Sequence, residues 1–517
     1  MRLTTVGRVW TADSGASRPC RLTRVKARSN AWVERAGMQN KQGFRTGYAQ
    51  RRSCWLALTV LFAILVAPLS AKSEPAPAPL SGAERQMIYK VLTDGPRPIA
   101  TPLAALDDSA LERAVLEYAM AETGQRLRPS AIDRLWSLQP EKRDLAAEFA
   151  AVRTEGRLAA WLSSLPPADP RYAALSAARR DYAAMVARGG WDALPSDYSL
   201  RAGQSDPRVV MLRERLTAEG YRLSSAPTPE VYDADLQAAL VRFQGLHGLE
   251  PDGVVGPQTR RALDVSADAR LAQIDASLER MRWMPRQPPP RRLEVNVAAA
   301  EATLFEAGEP VLSMRIIVGD LKHKTPMFAS QIESIVFNPP WNVPASIASE
   351  EILPKAARDP GYLARHGFSY VEGRLQQRPG AANALGRVKF DLPSPFGVYL
   401  HDTPGKSAFA RPIRTLSHGC MRLERPRELA ADLLETQGWT ATDIDVAIAT
   451  DVTRRIGLER PLPLYVIYQT AFVDASGVNL RPDPYRWDDV LAKALAGQYG
   501  VAANPRGATE CAEARSR

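Results

Sequence analysis

The 517-residue sequence predicts a multidomain α+β chain. A mainly β domain with an inserted lid follows a helical scaffold and a compact three-helix unit. Three observations predict this. Residues 83–200 are rich in Ala, Leu, Arg and Glu, with apolar residues at helical spacing. Residues 201–265 hold three short apolar segments punctuated by Asp206-Pro207, Pro251-Asp252-Gly253 and Gly256-Pro257. From Leu293 the apolar period changes to two, the pattern of strands.

The first 71 residues are read as a targeting segment. Arg51-Arg52 precede an apolar run from Cys54 to Ala67, and Leu69-Ser70-Ala71 follows. A basic stretch, an apolar stretch and a small-residue cleavage site make a secretory signal. The run is short for a full membrane span of about 20 residues, although an uncleaved inner-membrane anchor is the alternative. Arg51-Arg52 also fits twin-arginine export in part. Residues 1–37 are long for a leader, and translation from Met38 would shorten it. The localisation expected from these features is the periplasm.

Export changes the charge argument. The chain has 67 Lys+Arg against 57 Asp+Glu, a net charge of +10. Residues 1–71 hold 12 of those bases and 2 of the acids, leaving 55 of each sign. The basic excess belongs to the targeting segment, so no nucleic-acid partner is expected. Of the four cysteines, Cys20 and Cys54 leave with the leader, and Cys511 lies in a polar tail. A disulfide framework is not expected, and an exported chain that keeps Cys420 points to a reactive thiol.

About 445 remaining residues correspond to roughly three domains. Residues 72–82 form a Pro/Ala-rich linker. In the scaffold over 83–200, Ala104, Leu111, Val115, Tyr118 and Ala119 fit one helix face. Leu158, Trp161 and Leu162 fit another. In the unit over 201–265, Asp206 and Pro207 start a helix that Gly220 stops. A second helix starts near Asp233 with Leu236, Ala239, Leu240 and Phe243 on one side. A third opens at Gly256-Pro257 and runs to Leu263. Over 266–290, Leu271, Ile274, Leu278 and Met281 mark another amphipathic helix, ended by Pro285 and Pro288-Pro289-Pro290. One short stretch of this kind packs on its own chain more often than it forms a coiled coil.

The β domain spans 291–475. Leu293, Val295 and Val297 alternate; Thr303 to Phe305 and Val311 to Val318 continue as a hairpin around Gly308. Ser334 to Phe337, Phe396 to Leu400 and Tyr465 to Tyr468 are further strands. Residues 345–385 break this pattern with short helices and turns, and are read as an insertion that caps the site. Residues 476–517 form a C-terminal segment whose end is expected to be disordered.

The chemistry concentrates in Ser417-His418-Gly419-Cys420-Met421-Arg422, with His401-Asp402 upstream. A thiol is mostly protonated at neutral pH, and a nearby imidazole can take its proton and hold the thiolate as an ion pair. Gly419 lets the backbone approach a ligand closely, so N–H groups there can serve an oxyanion. Read alone, Cys420 is a small buried hydrophobe; Ser417, His418, Gly419 and His401 reverse that reading. Phe396 to Leu400 would deliver His401 at a strand end, and Pro426 opens a helix that Gly438 closes.

These residues resemble the L,D-transpeptidases. The family pattern is a histidine near a strand end, then Ser/Thr-His-Gly-Cys, an apolar residue and Arg or Asn. Phe337 to Pro344, Arg378-Pro379-Gly380 with Asn383 to Gly386, and Tyr399 to Pro404 are similar to the large Gram-negative members. Leu236 to Gln244 with Gly248 to Thr259 resembles a three-helix peptidoglycan-binding domain. One departure is Asp402, where many smaller members carry Gly or Ser; it leaves open which group orients His401.

The resemblance implies Cys420 as nucleophile and His401 as general base and later acid. The implied reaction takes an acyl group from a peptidoglycan tetrapeptide stem, releases D-alanine and forms a 3→3 crosslink. Ser417, His418, Gly419 and Asp402 would shape the turn and the oxyanion site. Arg422 is either a carboxylate ligand or a clamp. Tyr399 and Trp341 either line the donor channel or pack in the core. Peptidoglycan stems, and other cell-wall synthesis proteins, would be the partners; no cofactor and no metal is implied. Two rivals stand beside this. A zinc peptidase could draw on His401, Asp402, His418 and Cys420, although no HExxH or CxxC pattern is present. A non-catalytic wall-binding protein would leave the Cys/His pair unexplained. Within the enzyme reading, water or a protein amine could replace the stem as acceptor.

Overall fold

The computed structural model describes residues 78–95, 100–195 and 198–497. The signal segment, Cys20, Cys54, Cys511 and the expected disordered end lie outside them.

Local capping chemistry sets the first helices. Ser81 caps Gly82–Asp94 in a reciprocal box with Glu84, and Asp107 caps Asp108–Glu122. Ile88, Leu92, Leu111, Val115 and Ala119 pack with Phe149, Trp161 and Leu162 in one buried cluster. Each Ile, Leu, Val and Phe side chain among them contributes about 1.5–3 kcal/mol by leaving water. Ala104 does not join them. It is exposed in the short turn Leu103–Ala105, because Asp107 starts the helix only after it.

The three-helix unit follows the predicted punctuation. The Asp206 carboxylate accepts the Arg208 N–H at 2.8 Å, Asp233 caps Ala234–Leu246, and Pro257 opens Pro257–Leu263. Leu194, Tyr198 and Leu200 join its core, and Leu200 pairs with Val255. A buried charged cluster ties the unit to its neighbours. Glu219 accepts from Arg215 at 2.8 Å and from Tyr182 of helix Pro170–Ala187 at 3.0 Å. Burial opposes its ionisation, but His247 first, and then Arg215 and Arg270, hold its carboxyl at about 2. His247 stacks on Phe243 at 3.9 Å, and burial pushes its pKa down.

Helix Ala267–Arg282 departs from a one-faced amphipathic helix. Ile274 and Leu278 are buried as predicted, but so are Arg270, Gln273, Ser277, Glu279 and Arg280. The C-terminal segment covers this polar side. Gln273 donates to the carbonyls of Thr470 and Arg481, and Arg280 pairs with Asp488 at 2.6 Å. Residues 476–497 are therefore structural. They supply strand Gly477–Leu480 and helix Trp487–Leu495. Trp487 stacks edge-on to Trp136 at 5.6 Å, and Trp136 lies 5.7 Å from Trp283.

The β domain is one nine-stranded sheet that closes on itself. Its order is Thr415–Ser417, Glu309–Gly319, Met421–Leu423, Leu400–His401, Val388–Asp391, Phe328–Phe337, Arg454–Ile467, Arg292–Asn296 and Glu301–Glu306. Glu301–Glu306 pairs again with Glu309–Gly319, which completes the closure. The alternating Leu293, Val295 and Val297 all face the core, with Leu400, Met421 and Leu464.

Two expectations are corrected here. Phe396 to Leu400 is not a strand: only Leu400–His401 pairs, because Gly397 turns at φ 65° and donates back to Ser394. The insertion is more than short helices and turns. After the helical run over 345–358 and helix Tyr362–Arg365, it contains the hairpin Phe368–Val371 and Arg374–Gln377. Trp341–Asn342 adds a third strand to that hairpin. Alternation was hard to read because Ser369, Tyr370 and Val371 are all exposed, so no apolar face marks the strand.

Candidate active site

Cys420 sits on a turn braced from two sides. Ser417 Oγ donates to the Cys420 carbonyl at 2.6 Å and accepts the Gly419 N–H at 3.2 Å. Thr325 Oγ1 donates to the Gly419 carbonyl at 2.8 Å and accepts the Gly319 N–H at 2.9 Å. Tyr485 completes the brace by donating to the Gly319 carbonyl at 2.6 Å. Gly419 holds φ 106°, a conformation that L side chains rarely adopt. Of the N–H groups expected to serve an oxyanion, that of Gly419 is already engaged by Ser417.

Sheet pairing brings the histidine alongside. Met421–Leu423 runs parallel to Leu400–His401, with Met421 opposite Leu400 and Arg422 opposite His401. Side chains alternate, so Leu400 and Met421 enter the core while His401 and Arg422 share the other face. Cys420, just before the strand, is buried at 8% exposure against the edge of the core and lies within electrostatic range of Arg422.

His401 is fully enclosed. Its Nδ1 donates to the Asp402 carbonyl at 2.5 Å, which leaves Nε2 as the basic nitrogen. Burial pushes its pKa down to about 3, and the Arg422 guanidinium adds to the shift against the carbonyls of Asp402 and Leu385. The ring is therefore neutral at rest. This answers which group orients it: the Asp402 backbone, not its carboxylate. The carboxylate instead accepts from Lys406 Nζ at 2.6 Å and from the Arg387 N–H at 2.8 Å. Gly386 makes room for it, since a Cβ there would lie 2.4 Å from Asp402 Cγ.

Arg422 is mostly buried, and its Nε meets no hydrogen-bond partner. Burial draws its pKa down, while Cys420, Glu351 and Tyr399 nearby push it back up. Tyr399 lies 5.6 Å from the His401 ring, with Lys389 Nζ 4.5 Å over its face. Trp341 is elsewhere. It packs in the small core of the insertion with Val343, Ile352 and Leu375, and lies 6.3 Å from Phe368. His418 reaches the insertion too: its Nε2 is 2.7 Å from Glu351 Oε1, and its ring lies 4.6 Å from that of His323.

Sequence reasoning missed Thr325, Tyr485, Lys389 and Glu351, and quoted Gly386 only within a motif, without its role beside Asp402. Thr325 and Tyr485 are far from the motif in sequence and become neighbours only through folding. One signal was available for the loop before Thr325. Asp320 accepts the N–H groups of Lys322 and His323, the local turn that Asp favours.

The site is thus a cysteine turn on a closed sheet, with a buried neutral histidine on the neighbouring strand. Comparison with known families adds a match: residues 290–446 match the family described as "L,D-transpeptidase catalytic domain". Residues 205–263 match a "Putative peptidoglycan binding domain" and residues 84–178 a "Scaffold domain". A "Putative L,D-transpeptidase" of Haemophilus influenzae is 33% identical over 215 residues. That alignment covers 38% of this chain and 44% of the relative, so the chain spans less than half the length of that relative. Among solved structures, an L,D-transpeptidase (residues 123–326) of Xylanimonas cellulosilytica covers 53% of this chain and 98% of its own, at 17% identity and TM-score 0.17. The L,D-transpeptidase of Stackebrandtia nassauensis covers 53% and 97%, at 12% identity and TM-score 0.22. Superpositions this loose support no further structural argument.

Proposed function

We propose that this protein forms 3→3 peptidoglycan crosslinks in the periplasm through a thioester on Cys420. The observation that carries this reading is the neutral His401, tied at Nδ1 and paired in register beside Arg422, two residues from the cysteine. His401 Nε2 takes the Cys420 proton, and the thiolate attacks the carbonyl that joins the L- and D-centres of a tetrapeptide stem. The C–S bond forms and the C–N bond breaks. D-alanine leaves with the proton that His401 returns to its nitrogen. A side-chain amine of a second stem then attacks the thioester, the new C–N bond replaces C–S, and the spare proton returns through His401 to Cys420.

Arg422 binds a stem carboxylate in this scheme, which its unpartnered Nε supports. The peptidoglycan-binding unit would hold the wall, and other cell-wall synthesis proteins are the expected company. Incubating the pure full chain with disaccharide-tetrapeptide muropeptides, and weighing products by mass spectrometry, tests the reading. Dimers and an acyl-enzyme at Cys420 are expected, and a Cys420→Ala protein that still makes dimers would overturn it. Hydrolysed stems alone would mean a carboxypeptidase, and a protein adduct an anchoring enzyme. Inactivation by a chelator but not by a thiol alkylator would favour the zinc peptidase.

A further inference from the structure

We propose that Glu351, carried by the inserted lid, is the docking carboxylate for the cationic amine of the acceptor stem. The inference rests on the crosslinking function proposed above and names the residue that selects an amine over water.

The acceptor poses a charge problem. An aliphatic side-chain amine, like that of lysine, has a pKa near 10.4 and arrives as an ammonium. The face around Cys420 does not welcome it. Arg422 is a mostly buried cation whose Nε has no partner, Lys389 is already paired with Asp391 at 2.7 Å, and His401 is neutral. Two nearby carboxylates are committed elsewhere. Asp402 is held by Lys406 and the Arg387 N–H, and Asp320 by the N–H groups of Lys322 and His323.

Glu351 is different in three respects. Its Oε1 lies 2.7 Å from Nε2 of His418, two residues from the nucleophile. Its side chain is 45% exposed and that of His418 28%, so an incoming cation can reach the pair. It lies within electrostatic range of Arg422, as Cys420 does. The backbone supports the same reading. Glu351 falls in the π-turn Ala348–Ile352, inside the helical run over 345–358. Such turns interrupt a helix at some cost and recur at functional sites. Here the turn aims a lid carboxylate at the cysteine loop. An ammonium docked on Glu351 first gives one proton to solvent; its nitrogen then attacks the thioester, and the remaining spare proton returns through His401 to Cys420 as above.

The competing role is a latch that merely fastens the lid to the turn. Glu351→Gln separates the two, because an amide oxygen still accepts from the His418 N–H but carries no charge. The full-length protein is assayed with disaccharide-tetrapeptide as both donor and acceptor. Acyl-enzyme formation is followed by intact mass, and the ratio of dimer to hydrolysed stem by product mass. In Glu351→Gln, acylation is expected within threefold of the parent. The acceptor KM should rise, and the dimer-to-hydrolysis ratio fall, by roughly tenfold, the effect of losing one partly exposed charged hydrogen bond. Glu351→Asp should recover part of the ratio. An unchanged ratio would overturn the proposal, and so would equal losses of acylation and aminolysis, which mark a latch. If the parent forms no acyl-enzyme on this donor, the crosslinking function itself fails, and this inference with it.

Discussion

His401 gives its Nδ1–H to the backbone carbonyl of its own neighbour, Asp402, at 2.5 Å. That bond selects the tautomer and leaves Nε2 as the basic nitrogen. A carbonyl orients the ring without adding a charge beside it, unlike the carboxylate of a Ser-His-Asp triad. His401→Ala is expected to lower the acylation rate by about 10²–10⁴-fold, the range for losing a general base. Stopped-flow measurement of acyl-enzyme formation checks this. Asp402→Asn should cost far less than that, because the orienting atom is in the backbone.

Acid should destabilise the fold through the same residue. His401 has its pKa depressed to about 3 in the fold, from an ordinary value near 6.5. Between these values the unfolded chain binds the proton that the folded chain refuses. Stability is therefore full above pH 6.5 and falls as pH drops toward 3. Glu219, held at about 2 against 4.5, adds a loss below pH 4.5. Thermal denaturation across pH 3–7 should show a shallower decline in His401→Gln than in the parent.

Glu219→Gln would leave Arg215 and Arg270 as buried cations without their carboxylate. Removing one partner of a buried ion pair typically costs about 3–5 kcal/mol. Urea denaturation followed by tryptophan fluorescence should register the loss. Activity of the surviving folded fraction should stay close to normal, because the cluster lies outside the catalytic domain.

Gly386→Ala tests the support behind Asp402. The added Cβ would fall 2.4 Å from Asp402 Cγ, and the backbone there is at φ 64°. A destabilisation of about 1–3 kcal/mol is expected from overpacking and strain. The carbonyl that orients His401 should shift with it, so acylation should slow as well. A variant with parent-like denaturation and rate would contradict the assigned contact.

Arg422→Lys keeps the charge but loses the planar fork. If Arg422 binds a donor carboxylate, the donor KM should rise about tenfold with kcat little changed. A fall in thermal stability with unchanged KM would make it a clamp instead.

Much of the site was legible because its chemistry is local. Ser417, Gly419 and Cys420 lie within four residues, and one hydroxyl can bond both neighbours only on a turn this tight. Two helix starts were equally plain, since Asp233 and Pro257 act on backbone groups within three positions, whereas the start at Asp107 was not read and Ala104 was misplaced. The exposed hairpin over 368–377 was not legible, because its strand lacks an apolar face.

The sequence by itself singled out Cys420 and His401 as the candidate pair, the helix starts at Asp233 and Pro257, and the strands whose apolar period is two. All of these depend on neighbours along the chain or on solvent alone. Tertiary structure decided the rest. It buried the polar side of helix Ala267–Arg282 under residues 470–488, and set Tyr485 and Thr325 beneath the cysteine turn. It neutralised His401 by enclosing it, and carried Glu351 from the insertion to His418. Desolvation and long-range hydrogen bonds depend on what folds over a residue, and no local pattern encodes that.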